Sequence, residues 1–295
     1  MKPYQRLGIS DGMIAVDGRI EGYQQSLNFI PHAGGRHASA RAMFIARDAA
    51  HIAACYYLLD EPAPQQTWEF ARLAVHNTIE ENFYGAWRSQ SETTGGPPVD
   101  PPYRDNWVTE YRYGITWASV LDDWDSARRM SEYPQDDGED QSDRKSEIPW
   151  YLLLADVLKQ ASPGGRTPRA SAAADQSSRV QLPNPEPPEP NGIWLTPELQ
   201  LKPATCEELI EHGSKKRIKL LATVLSEILR KDAAAADRAF AEYMKYFKKT
   251  EYPRARTPDD KLALDGTILF HLARHRGIAL TIKSEHSDHI IRRLK

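Results

Sequence analysis

KKRIKLLATVLSEILRKDAAAADRAFAEYMKYFKK, Lys215 to Lys249, decides the fold. In its first half Ile218, Leu221, Leu225 and Ile228 recur every three or four residues, which places them on one stripe of an α-helix. In its second half Ala233, Ala236, Phe240, Tyr243 and Phe247 repeat the pattern. Asp232 stands between the halves, with a side chain suited to accept the free N–H groups of a helix start. The stretch reads as two successive helices with a short connection, the arrangement that gives antiparallel neighbours.

The same signals extend outward. Thr205-Cys206-Glu207-Glu208 has the spacing of a capping box, and Thr196-Pro197-Glu198 reads as cap, first-turn proline and first-turn acid. Thr257-Pro258-Asp259-Asp260 is expected to open a further helix that Gly277 closes. Ile278 to Lys283 alternates apolar and polar residues, as a short extended segment does, and HSDHIIRRLK suggests a small terminal helix. Toward the N-terminus, Arg36 to Asp60 is rich in alanine, which permits close helix–helix approach. From Thr67, a suitable cap, the stripe Trp68, Ala71, Val75, Ile79, Phe83 and Ala86 marks another helix. Helices are also expected after Asp105-Asn106, with Trp107, Tyr111, Ile115, Ala118 and Leu121 on one side; after Asp125-Ser126; and from Glu147 to Ala161.

PGGRTPRASAAADQSSRVQLPNPEPPEPNG, between Ser162 and Ile193, holds seven prolines and no aromatic residue. Such a composition buries too little apolar surface to offset the entropy of ordering, so disorder is expected. The expected layout is a helical part over residues 1–161, a Pro/Ser/Ala-rich linker or loop insertion over 162–195, and a helical part over 196–295. One domain containing both helical parts is compatible with it. The fold class is all-α, an irregular bundle or repeat-like array of antiparallel helices; no fixed repeat period holds beyond two helices.

With 295 residues, 40% hydrophobic and 27% charged, the chain has the makeup of a soluble globular protein. Cys55 and Cys206 are the two cysteines, too few for a disulfide framework and suited to a reducing compartment. The absence of a leader-like apolar segment and of any run of 18 apolar residues points to a cytoplasmic protein that does not span a membrane. Residues 1–200 carry 18 basic against 28 acidic side chains, and residues 201–295 carry 20 against 13. An acidic N-terminal surface suits a basic partner. The basic residues after Lys202 interleave with acids along helices, which argues against a nucleic-acid partner.

Candidate chemistry is sparse. His271 and His275 lie one turn apart in LDGTILFHLARHRGIAL, Leu264 to Leu280. Leu272 stands where a metalloprotease motif needs glutamate, so they read as core-edge histidines, each satisfied by a carbonyl or an aromatic neighbour. His286 and His289 read as a surface helix end. LDDWDSARRMSEYPQDDGEDQSD, Leu121 to Asp143, concentrates acids, but Ser126 occupies the position a magnesium-binding aspartate motif requires. HAGGRH, His32 to His37, matches no phosphate-binding fingerprint and reads as a turn. Cys55 lies among alanines and Cys206 beside acids, and no G-x-S-x-G occurs. No catalytic, metal-binding or cofactor-binding residue is therefore expected.

Two blocks carry a resemblance. NWVTEYRYGITWASVLDDWDSARRMSEYP resembles the middle of the Immunity protein 49 family through Trp107, Ala118, Asp123, Asp125 and Pro134. DRAFAEYMKYFKKT followed by LALDGTILFHLARHRGIALTIKSEH resembles that family's C-terminal pattern through Phe240, Tyr243, Leu272, Ala273, Arg276, Gly277 and the stretch Ile278 to Ser284. The proline-rich insertion and the tract Asp136 to Asp143 depart from the pattern. The resemblance implies a non-catalytic bacterial protein that binds a cognate toxin, expected to present a basic surface, and blocks it. The expected contact residues are Asp122, Asp123, Trp124, Asp125, Glu132, Asp136, Asp137, Glu139 and Asp140. Two other readings stand beside it: a helical-repeat scaffold bridging other proteins, and a helical enzyme with an Asp-rich metal site using Asp122, Asp123 and His271.

Overall fold

The computed structural model describes residues 3–10, 14, 16–28, 35–59, 65–91, 107–131, 147–160 and 204–292. Among them no strand occurs, and the fold is all-α. In chain order the helices are α1 (Pro3–Arg6), α2 (Val16–Asn28), α3 (Gly35–Leu59), α4 (Gln65–Ser91), α5 (Trp107–Leu121) and α6 (Trp124–Ser131). There follow α7 (Ile148–Gln160), α8 (Cys206–His212), α9 (Lys216–Arg230), α10 (Ala233–Tyr246) and α11 (Leu264–His275).

The deciding stretch forms α9 and α10. Ile218, Leu221, Leu225 and Ile228 are buried on α9, and Ala236, Phe240, Tyr243 and Phe247 on the second half; Ala233, at the exposed first position of α10, is not. Lys231 takes the left-handed conformation (φ 59°) that ends α9, and its N–H bonds the carbonyls of Glu227 and Ile228. Asp232 then accepts a 2.9 Å bond from the N–H of Ala235 and starts α10. The capping box is complete at α8, where Thr205 Oγ1 accepts from Glu208 N and Glu208 Oε2 from Thr205 N. Such caps contribute roughly 1 kcal/mol each. Past α10 the chain widens into a π-helical turn, Phe247–Glu251, followed by a 3-10 turn, Tyr252–Arg254.

Successive helices pack as pairs, α3 with α4 and α9 with α10, but α11 also packs on α5, far away in the sequence. A solenoid has contacts between neighbouring units only, so the architecture is an irregular bundle. Helices α5 and α11 are enclosed around most of their circumference: residues 113–120 of α5 and 264–269 of α11 are all buried, Asp265 among them. Close approach has a local cause. A Cβ on Gly114 of α5 would stand 2.7 Å from Met130 Sδ of α6 and from the Thr78 side chain of α4. One continuous core joins Trp117, Trp150 and Tyr151 to Leu225, Phe240 and Leu269, so helices from before and after residues 162–195 share it.

Several sequence expectations are corrected. Thr67 lies inside α4, not at its cap, because the helix begins at Gln65; its hydroxyl is buried with no hydrogen-bond partner. Thr257 to Asp260 leads into a separate 3-10 turn, Asp259–Lys261, and α11 starts at Leu264. Gly277 does end α11, at φ +79°, and the N–H of Ile278 bonds back to the Ala273 carbonyl. Ile278 to Lys283 has no ladder partner among the described residues. His286 and His289 sit in a 3-10 turn, Ser284–His289, and both are buried. The chain then runs as a strap over α11, with Ile290 and Ile291 fully buried. Residues 162–195, Thr196 to Glu198 and residues 32–34 of the HAGGRH loop lie outside the described residues.

Candidate functional site

Asp265 occupies the first turn of α11 and has no exposure. A buried carboxylate is costly unless paired and hydrogen-bonded, and three other helices supply its partners. Arg112 of α5 approaches with Nη2 3.0 Å from Oδ2, and Arg217 of α9 donates to the same oxygen. Tyr151 of α7 donates its hydroxyl to Oδ1 at 2.9 Å, and Trp150 its indole N–H at 3.4 Å. Burial alone would raise the Asp265 carboxyl, but Arg112 and Arg217 outweigh it and hold it well below the usual carboxylate range. Asp265 is thus an ionised, saturated anchor.

Arg217 links this core to the surface. Its Nη1 lies 2.8 Å from Glu147, at the start of α7, and its Nε 3.4 Å from Glu251, in the π-helical turn. Lys215 also reaches Glu147, at 3.4 Å. The two carboxylates behave oppositely. Burial would raise Glu147, but Arg217 and Arg112 bring it down. Burial raises Glu251, and Arg217 does not offset it. Glu147, Lys215, Arg217 and Glu251, with Lys216, Tyr246, Thr250 and Arg254, line an open cleft of about 390 Å³.

The acidic turn between α5 and α6 forms a second region. Asp122 is left-handed (φ 61°), and its Oδ1 accepts a 2.8 Å bond from the Trp124 indole N–H. Asp123 Oδ1 accepts from Ser126 N at 3.0 Å and so caps α6. Asp125 is exposed. The Trp124 ring lies over the His275 ring of α11, with centroids 4.6 Å apart and planes 31° apart. Burial lowers the His275 pKa, against the opposing effect of Asp122. Of the expected contact residues, Asp122, Asp123, Trp124 and Asp125 therefore form one turn. Glu132, Asp136, Asp137, Glu139 and Asp140 lie outside the described residues.

The histidine pair is held as core-edge residues are. His271 Nε2 lies 2.8 Å from the Ile291 carbonyl of the strap, while His275 meets Trp124. Asp122 thus acts on His275, one turn away from His271. His289 Nδ1 lies 2.9 Å from the Lys261 carbonyl, and its ring packs on Tyr252 and Phe247. Burial pushes the thiols of Cys55 and Cys206 up to about 11. Among the described residues no group of three or more His, Cys, Asp or Glu side chains is placed to hold a metal ion. No helix there is long and apolar enough to cross a membrane.

Comparison with known protein families, curated proteins and solved structures finds no match. The Asp265 network also escapes inspection of motifs. Its one sequence signal is an ionisable residue on an apolar stripe: Arg217 stands in register with Leu221, Val224 and Ile228, and Asp265 is flanked by Leu264 and Ile268.

Proposed function

We propose that this chain is a non-catalytic bacterial immunity protein that acts in the cytoplasm by binding a cognate toxin and blocking it. The observation that carries this reading is a convergence in space. The two blocks that resemble Immunity protein 49, one covering α5 and α6 and the other running from α10 through α11, are neighbours in the fold. Arg112–Asp265 joins them in the core, and Trp124–His275 joins them at the surface. A rigid bundle of this kind supports a fixed surface epitope without a cofactor.

The acidic-aromatic turn Asp122–Asp125 is the proposed centre of the contact. Aromatic residues dominate the energetics of protein interfaces, with truncation costing about 2 kcal/mol or more at the strongest positions. Trp124, half-buried against His275, is pre-oriented by its bond to Asp122 and suits that role. A basic toxin surface would meet Asp125 at its edge.

The test is co-expression with the product of the adjacent gene, followed by pull-down and a growth assay. A stable complex and rescued growth are expected, with Trp124→Ala weakening both. A purified chain that forms no complex with that product, or that turns over a substrate, overturns the proposal.

A further inference from the structure

His51 of α3 sits where α2, α5 and the Asp259–Lys261 turn meet. Its Nδ1 lies 3.1 Å from Arg19 Nη1 of α2, and its Nε2 lies 3.0 Å from the Tyr113 hydroxyl of α5. Tyr113 donates that hydroxyl proton to Asp259. A guanidinium only donates, so Nδ1 must accept, and the proton of the neutral ring resides on Nε2. Tyr113 oxygen then accepts from Nε2–H while its own proton points at Asp259. Every group has a single assignment, and the donors run one way: Arg19 to His51 to Tyr113 to Asp259.

A second proton on His51 has only Nδ1 to occupy. There it faces the Arg19 N–H, donor against donor and cation against cation. We propose that His51 is an acid-operated latch: the neutral ring holds α2 on the bundle through Arg19, and the protonated ring releases it. Arg19 from α2 and Arg47 from α3 itself oppose the proton, while Asp48 of α3 and Asp259 favour it. Asp259 is 3.6 Å from Nε2, on the far side of the ring, so its attraction for the protonated ring acts away from the α2 contact. Burial is the largest influence and, with the two arginines, moves His51 below its ordinary value of 6.5. The neutral form is therefore favoured in the closed state. The latch is fully engaged above that ordinary value and weakens as the pH falls below it.

The experiment uses the full chain. Nitrogen-15 spectra of the His51 ring give its tautomer, and amide hydrogen exchange at about pH 7.5 and about pH 5 gives the protection of α2 relative to α4. The Nε2–H tautomer is expected at the higher pH. The relative protection of α2 should fall roughly tenfold at the lower pH, the scale set by losing a hydrogen bond from a charged donor. In Arg19→Gln the amide donates to neutral Nδ1 and accepts from protonated Nδ1, so the pH response of α2 should disappear. An Nδ1–H tautomer, equal relative protection at both pH values, or an unchanged pH response in Arg19→Gln overturns the proposal.

Discussion

The Arg112 guanidinium lies 3.0 Å from the Asp265 carboxylate and so ties together α5 and α11, two helices that pack on each other in the core. Arg217 comes to the same oxygen from α9, so one side chain is a junction of three elements. Removing Asp265 takes the paired carboxylate from buried Arg112 and leaves Arg217 with Glu147 and Glu251 alone. Asp265→Ala is expected to cost about 3–5 kcal/mol, read from urea denaturation at neutral pH. A loss below about 1 kcal/mol would mean that the arginines are solvated and the network is not a core element.

The same residue sets the acid limb. The folded-state Asp265 carboxyl lies below its ordinary value of 3.8, so its contribution is fully present above that pH and is lost as pH falls toward the folded value. Glu147, also lowered, acts in the same sense. Glu251 is raised, so its contribution has the opposite sign: present at low pH, lost as pH rises through its folded value. Thermal unfolding followed from about pH 7 down to about pH 3 should show a falling stability that is shallower in Asp265→Asn. Equal slopes in both proteins would contradict this.

Gly114 of α5 faces the Thr78 side chain of α4 and Met130 of α6. A methyl group there meets Met130 and Thr78 at 2.7 Å, well inside contact distance. Gly114→Ala is expected to destabilise by about 1–3 kcal/mol through overpacking, despite alanine's better helix propensity. An increase in melting temperature would show that the three helices can move apart freely.

Asp123 and Asp125 have separable roles, although they stand two residues apart. Asp123 caps α6, so Asp123→Ala should cost roughly 1 kcal/mol of stability. Asp125 is exposed, and Asp125→Ala should leave stability within about 0.5 kcal/mol. Calorimetric melting of both variants, beside their binding to the proposed toxin partner, tests the pair. A stability loss in Asp125→Ala equal to that in Asp123→Ala would remove the distinction.

The helices were legible in the sequence because their signals are local. The stripe from Ile218 to Ile228, the Asp232 cap and the Thr205–Glu208 box need only neighbours within a few residues, and each is found as read. Thr67 misled because caps and helix interiors can hold the same residue, and nothing local excludes two more residues at the start of α4. His271 was readable as a core histidine from its apolar surroundings. Its partner carbonyl at Ile291 was not, because an irregular strap delivers it. The Asp265 network was the least legible feature. Each of its members is an ordinary charged or aromatic residue, and only tertiary packing of α5, α7, α9 and α11 assembles them.

The π-helical turn at Phe247–Glu251 holds one residue more than an α-helical turn needs, so everything beyond it is rotated by about 100° relative to a regular continuation of α10. Glu251, the last residue of that turn, reaches Arg217 Nε at 3.4 Å from there. Deleting a single residue there, for example Lys249, would let the spiral relax to its commoner pitch and swing the carboxylate away from the guanidinium. Homologues of this chain that lack the extra residue should accordingly have abandoned an acid at this place.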